Sequence, residues 1–409
     1  MLTVFRKWAV LAALTSVLLV TACAPAPVVK ATDDAFAFDA AMEQISKSLV
    51  SQLQGGTGVQ GVVARLENQL RQQFIVVDPF IDAQNGYAVK AGLNAQNVIS
   101  AQTKAASKNI EFLELTTDNL AKATYVMSGT LGVEERAGQA GRKVYRIHVA
   151  LLNPKSGAVA AQTSVWLADR NLDMTPLPVY QESPVFLNDR YTGGLVTTSR
   201  TPGGQAADGT YVSQLATAAL QSEAQQAYAS DDANRSLGLY QRAETRPDGK
   251  TLKIYSGLYV SYLKLGNLND AERTFAQLIA VAFAENNLSI RFLFRVDSTD
   301  FIAETKLNQQ YRIWVRQLGQ HIVRKQQCVE VQGHSSKSGN EAYNSRLSLQ
   351  RAEAIRRQMQ QEASGSLNLT RATGRGFQDN LVGSGSDDEK DAIDRRVEFK
   401  ILPCTQLKT

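Results

Sequence analysis

At 409 residues the chain exceeds what one hydrophobic core normally serves, so two or three domains are expected, and an apolar content of 44% excludes wholesale disorder. The net charge of +5 is mild and spread along the chain, with no Lys/Arg block of the kind that tracks a phosphate backbone. That argues against nucleic acid as a partner.

Residues 1–23 read as a targeting segment: Arg6 and Lys7 are basic, Trp8 to Val20 are apolar but too few to span a bilayer, and Val20-Thr21-Ala22-Cys23 closes it. This resembles a bacterial lipobox. The resemblance implies that Cys23 becomes the lipidated first residue and that Ala24, rather than Asp, sorts the protein to the outer membrane, facing the periplasm. An ordinary secretory peptide with an incidental Cys is the alternative. Residues 24–35, with Pro25 and Pro27, read as a short extended tether. Once Cys23 is assigned to lipid, Cys328 and Cys404 remain as a pair in an oxidising space, and a disulfide between them is expected. A metal site is the weaker reading, because His148, His321 and His334 are scattered without ligand spacing. No cofactor is expected.

Residues 36–170 are expected to form an α/β domain. Ala40, Ile45, Leu49 and Leu53 recur at helical spacing, Phe74 to Phe80 is a short apolar run ended by Pro79, and strand-like stretches follow at Thr124–Glu135, Lys143–Asn153 and Ala158–Leu167. Asn153-Pro154-Lys155-Ser156-Gly157 reads as a hairpin turn between the last two. The layout resembles the FlgO, CsgG and LpoB kind of periplasmic lipoprotein domain, which implies binding or assembly. Asp78, alone before a proline, reads as a turn residue rather than a catalytic acid.

Residues 171–210 carry Pro176, Pro178, Pro184 and Pro202 among Gly193, Gly194, Gly203 and Gly204, and read as a linker. Trp166, Tyr180, Phe186 and Tyr191 argue that its first part packs or binds. Residues 211–287 show an internal repeat of about 35 residues, in which Asp231, Ser236, Tyr240 and Ala243 are echoed at Gly266, Ala271, Phe275 and Leu278. This resembles tetratricopeptide repeats, above all at Tyr262 to Glu272. Two such units cannot bury a solenoid core alone, so they should pack on a neighbouring domain or a partner. A plain helical spacer is the alternative.

In residues 288–404, Ser289 to Val296 alternates as a strand, Tyr311, Trp314, Leu318 and Ile322 mark a helix over Gln309 to Lys325, and Val329 to Gln332 alternates again. Gly333 and Gly339 punctuate a polar loop before helical spacing at Ala352, Ile355 and Met359. Ser348 is read as the helix N-cap, which puts Arg351 at the third helical position, where backbone N–H groups and the helix dipole favour an anion.

Gly-His-x-x at Gly333 to Ser336, Asn344, Leu347-Ser348-x-x-Arg351-Ala352 and Asp394-Arg395-Arg396-Val397-Glu398 resemble the OmpA-like peptidoglycan-binding domain. The resemblance implies an α/β sandwich with a pocket for the diaminopimelate of cell-wall stem peptides, whose zwitterionic end needs one anion and one cation. Arg351 keeps the family's cation, and Asn344 and Arg395 fall on further pocket positions. The family's Asp is replaced by Ser336. A neutral hydroxyl there costs about 1.5–3 kcal/mol, roughly ten- to a hundredfold in affinity, and Lys337 beside it adds repulsion toward an ammonium. The alternative is that Arg351 pairs only with a carboxylate such as Asp394 or Glu398.

The chain as a whole is expected to be multidomain α+β: an N-terminal α/β domain, a short helical-repeat segment and a C-terminal OmpA-like sandwich. An enzyme is not expected. The histidines lie far apart, no nucleophile elbow, P-loop or carboxylate couple stands out, and Ser335 and Ser336 follow His334 too closely to face it. Two readings remain: a lipid-anchored protein that binds peptidoglycan and links it to envelope proteins through its repeat helices, or a scaffold of an envelope-spanning machine whose OmpA-like domain docks to protein.

Overall fold

The computed structural model describes residues 34–55, 71–136, 143–169, 171–290, 292–295, 297–380 and 394–408. The targeting segment, Cys23 and all but the last two residues of the expected tether lie outside these. Among the described residues no helix is long and apolar enough to cross a membrane. The architecture is multidomain α+β.

The N-terminal part is built on one mixed sheet. Its elements are β1 (Ala35–Phe36), α1 (Phe38–Leu53), β2 (Gln73–Val77), β3 (Ile81–Asp82), α2 (Lys90–Ala106), β4 (Ile110–Glu114), α3 (Thr117–Lys122), β5 (Tyr125–Glu135), β6 (Lys143–Asn153) and β7 (Ala158–Leu167). The order across the sheet is β1-β7-β6-β5-β2-β4, with β3 pairing β5 beyond the end of β2. The β5–β6–β7 meander is antiparallel, whereas β2 lies parallel to both β4 and β5. The turn joining β6 to β7 forms because the Asn153 side chain accepts from the N–H groups of Lys155 and Ser156, and Gly157 takes a φ of +70° that favours glycine. α1 buries Met42, Ile45 and Leu49 against this sheet.

Residues 171–210 are not a linker. They fold into α4 (Pro178–Gln181) and α5 (Arg190–Arg200) and bury Leu172, Met174, Val179, Tyr180, Phe186, Leu187 and Leu195. The prolines and glycines punctuate without unfolding, because the backbone between them bonds to both neighbours. Lys90 donates to Thr175 and Leu177 to Ala88 on one side, and Phe186 donates to Ser289 on the other. Asp78 is correspondingly more than a turn residue. Its buried Oδ2 accepts from Tyr191 of α5 at 2.6 Å and from Tyr211 of the next helix at 2.9 Å.

Two helical hairpins follow: α6 (Gly209–Ala229) with α7 (Ala233–Glu244), and α8 (Leu252–Lys264) with α9 (Leu268–Ala284). Each helix starts on a side-chain cap, from Asp208, Asp232, Thr251 and Asn267 in turn. The stack does not stand alone. α6 packs on α3, α4 and α5, while α9 packs on the first helix of the C-terminal part. There Trp314 donates to Tyr259 at 2.7 Å, Phe275 stacks on Trp314, and Arg316 grips Glu272 through two bonds of 2.7 Å.

The C-terminal part runs β8 (Leu288–Ile290), α10 (Thr305–Lys325), β9 (Val329–Gly333), α11 (Glu341–Glu362), a short 3-10 helix (Ser366–Leu369), β10 (Thr370–Gly374), β11 (Val397–Ile401) and a closing 3-10 turn (Cys404–Lys408). The sheet order is β10-β9-β11-β8, with only the β10–β9 pair parallel. The alternation from Ser289 to Val296 yields a strand only as far as Ile290, although Phe292 and Phe294 keep the same buried side. Cys328 and Cys404 are joined, with Cα atoms 5.1 Å apart.

Candidate functional site

The cleft of the C-terminal part forms where β9 ends. His334 donates its N–H to the Arg396 carbonyl and Ser335 donates to Gly376, so the loop after Gly333 is held as an extension of the sheet. Gly333 is required there, because a Cβ would run into the Ser348 carbonyl of α11. Helix and strand end therefore meet backbone to backbone.

α11 begins seven residues earlier than the expected cap at Ser348. Asn340 is the N-cap and accepts from the Tyr343 N–H at 2.8 Å, following the left-handed Gly339. Glu341, Ala342, Tyr343 and Arg346 are exposed, so the first turns carry little apolar periodicity. Ser348 is instead buried inside the helix, where its hydroxyl accepts from Gly376 and donates to the Ser345 carbonyl. Arg351 consequently lies about three turns in, beyond the reach of the helix N-terminus. The expected anion cradle at that N-terminus is not formed.

What holds Arg351 is the loop after β8. Its Nε donates to Ser298 O at 3.1 Å and one Nη to Arg295 O at 3.2 Å, and the guanidinium carbon sits 4.9 Å from the Phe294 ring centre. The side chain is 3% exposed. Glu398, weighed as a partner for Arg351, accepts from Arg396 instead, at 2.7 Å. Asp394 is fully buried.

A cleft of about 100 Å³ opens over these groups, lined by Phe294, Asp297, Ser335, Ser336, Asn344, Arg351 and Arg395, among others. All four residues expected in the pocket therefore line one cavity. Ser336 is 5% exposed and shares a 3.2 Å hydrogen bond with Ser338. Asn344 is buried and donates to the carbonyls of Ser338 and Asn340, which ties the loop to the helix at the cavity wall. Lys337 is exposed and is not part of the lining.

Two further lining residues were not expected there. Ser335 is 1% exposed and its hydroxyl has no hydrogen-bond partner among the described residues. Asp297 follows β8 in a left-handed conformation, φ +50°, and accepts from the Tyr343 hydroxyl at 2.8 Å. That bond raises the Tyr343 phenol above its ordinary range and keeps it a donor. The polar turn Asp297-Ser298-Thr299-Asp300 was the available hint.

A larger cavity, about 580 Å³, lies elsewhere, between α2, α4, α6 and the β2–β4 edge. Its lining is mostly apolar with neutral amides, Gln96, Asn97, Gln225 and Gln226, and Glu114 as its acid. That composition offers no catalytic or ion-pairing set. Among the described residues no group of His, Cys, Asp and Glu could hold a metal ion.

The sequence profile of the OmpA family matches residues 302–394, so the chain carries a C-terminal OmpA-like domain. No curated protein matches the chain. Among solved structures it is similar to the peptidoglycan-associated lipoprotein of Burkholderia pseudomallei, at 24% identity over 28% of this chain and 89% of that one, with a TM-score of 0.23. It is also similar to the cell wall anchor of the T6SS from Pseudomonas aeruginosa, at 21% identity over 28% and 79% of the two chains, TM-score 0.23. The OmpA-like domain of FopA1 from Francisella tularensis matches at 21% identity over 28% and 76%, TM-score 0.22.

Proposed function

We propose that the protein is an outer-membrane lipoprotein, anchored through Cys23, that holds peptidoglycan in the cleft of its OmpA-like domain. The observation that carries this reading is the convergence of Arg351, Arg395, Ser336 and Asn344 on one small polar cavity within the domain that the OmpA profile matches. A stem-peptide carboxylate would be received beside the Arg351 guanidinium, a planar cation that matches a carboxylate and that the loop carbonyls of Arg295 and Ser298 hold in place at the cavity wall. The N-terminal domain, read as FlgO/CsgG/LpoB-like, and the tetratricopeptide-like hairpins would then present the wall-bound protein to other envelope proteins. No enzymatic step and no cofactor enters the proposal.

A scaffold role without wall binding is the second reading. It is favoured by the neutral Ser336 and by the loop carbonyls that already engage Arg351. Co-sedimentation of the purified protein with isolated sacculi separates the two. Wall binding predicts saturable retention that stem peptide competes away, and the scaffold role predicts the protein in the supernatant.

A further inference from the structure

We infer that Asp297, rather than the residue at position 336, supplies the anionic half of the cleft and receives the ammonium of the ligand whose carboxylate Arg351 holds. The inference rests on the wall-binding reading and deepens it by naming the residue that sets the preference for a zwitterion.

A zwitterionic end group needs both signs of charge, because an ammonium taken from water into a cleft without an anion loses hydration that nothing replaces. The position that supplies the acid in the resembling family holds Ser336, a neutral hydroxyl already bonded to Ser338. Among the described lining residues the single carboxylate is Asp297. It reaches the cavity from a different element, the turn after β8, and that turn is fixed to the cation. Arg351 donates to the carbonyls of Arg295 and Ser298, two residues before and one residue after Asp297. One guanidinium thus binds the cavity and sets the position of the opposite charge.

Three further features fit this role. Asp297 sits in a left-handed backbone conformation, an uncommon state for a residue other than glycine that tends to persist where surrounding contacts impose it for function. Tyr343 donates to Oδ1, which aims the carboxylate from α11. The Ser335 hydroxyl, also in the lining, is buried with no hydrogen-bond partner among the described residues. Buried polar atoms are rarely left so, and a bound polar ligand satisfies it.

The test uses calorimetric titration of the purified protein with two probes: a stem tripeptide ending in meso-diaminopimelate, and the same peptide with its side-chain amine acetylated. Asp297→Asn keeps the left-handed backbone, which Asn tolerates, and keeps an acceptor for Tyr343, so it removes charge alone. Wild type should prefer the free amine by roughly three- to fivefold, as for an ion pair with the exposed carboxylate of Asp297. Asp297→Asn should lose about that factor and bind both peptides alike, and adding Ser336→Asp to it should restore the preference. Equal preference in wild type and Asp297→Asn overturns the assignment of Asp297 while leaving wall binding intact. Binding of neither peptide by wild type overturns the wall-binding reading, and this inference with it.

Discussion

Replacing Glu398 by Gln should loosen the β9–β11 pair of the C-terminal sheet, because three basic side chains converge on that carboxylate. Arg396 lies 2.7 Å from Oε1, Lys400 3.0 Å from Oε2, and the His334 ring 3.7 Å from Oε1. Burial alone would raise the Glu398 pKa, but Arg396, His334 and Lys400 outweigh it and hold it at about 2, against an ordinary 4.5. At about 1.4 kcal/mol per unit, that depression stabilises the fold by at most roughly 3 kcal/mol, and by less at neutral pH, where His334 carries no charge to share in it. A depressed acid gives stability that is present above pH 4.5 and lost as pH falls toward 2. His334 acts in the same direction from a higher pH. Burial, then the charge of Arg396, lowers it to about 4 from 6.5, so the folded state resists its protonation and stability falls as pH drops through that window. At neutral pH the imidazole is therefore uncharged, and its 3.7 Å approach to Glu398 is not an ion pair although the distance would allow one. Glu398→Gln leaves the Arg396 guanidinium, 3% exposed, without its carboxylate, for a cost of about 3 kcal/mol at pH 7. Hydrogen exchange of the β9 and β11 amides between pH 7 and pH 3 reads this locally. Wild type should lose protection in two stages, and the variant should start lower and keep only the stage due to His334. Protection in Glu398→Gln within about tenfold of wild type at pH 7 would refute the reasoning.

Asp78→Ala strands the buried hydroxyls of Tyr191 and Tyr211 and should cost about 2–5 kcal/mol, whereas Asp78→Asn should cost less because one amide oxygen can accept from both. Burial raises the Asp78 pKa above 3.8, so its contribution favours the fold at low pH and declines as pH rises; Asp78→Asn should remove that decline from the pH profile of thermal unfolding, and an unchanged profile would contradict it. Cys328→Ser with Cys404→Ser should cost roughly 4 kcal/mol on the loop-entropy account of a bond spanning 76 residues, and labelling of the denatured, unreduced wild type should find neither thiol reactive. Cys23→Ser should move the protein from the outer-membrane fraction to the soluble periplasm, since stable anchoring takes more than one acyl chain and the lipidated Cys supplies them; sedimentation with the membrane, free of partners, would count against the anchor.

The β5–β6–β7 meander was legible to within a residue because its strands are long apolar-rich runs bounded by turn residues, and the Asn153 turn declares itself, although β5 is buried on both faces from Val126 to Gly132. Residues 171–210 were not legible. Their apolar residues bury at irregular intervals, set by whichever neighbour each one meets, and Pro and Gly between them carry the same local signal in a packed segment as in a free one. The start of α11 was misread for a related reason: a helix whose first turns face solvent shows its period late. At the cleft, the motif residues Arg351, Ser336, Asn344 and Arg395 line one cavity, while Asp297 arrives from a turn 39 residues before Ser336, a juxtaposition that only the fold makes.

Retention of the protein on isolated sacculi, compared between wild type and Arg351→Gln, tests the central claim most directly. Gln keeps much of the side-chain volume and one amide nitrogen for the loop carbonyls, so the variant should keep its far-UV circular dichroism while losing the charge and at least one of the two bonds to the loop. A carboxylate held by a buried guanidinium then predicts a fall in affinity of about ten- to a hundredfold, and weaker wild-type binding as salt rises. Equal retention of the two folded proteins, or no retention of wild type at any salt, would contradict wall binding through this cleft.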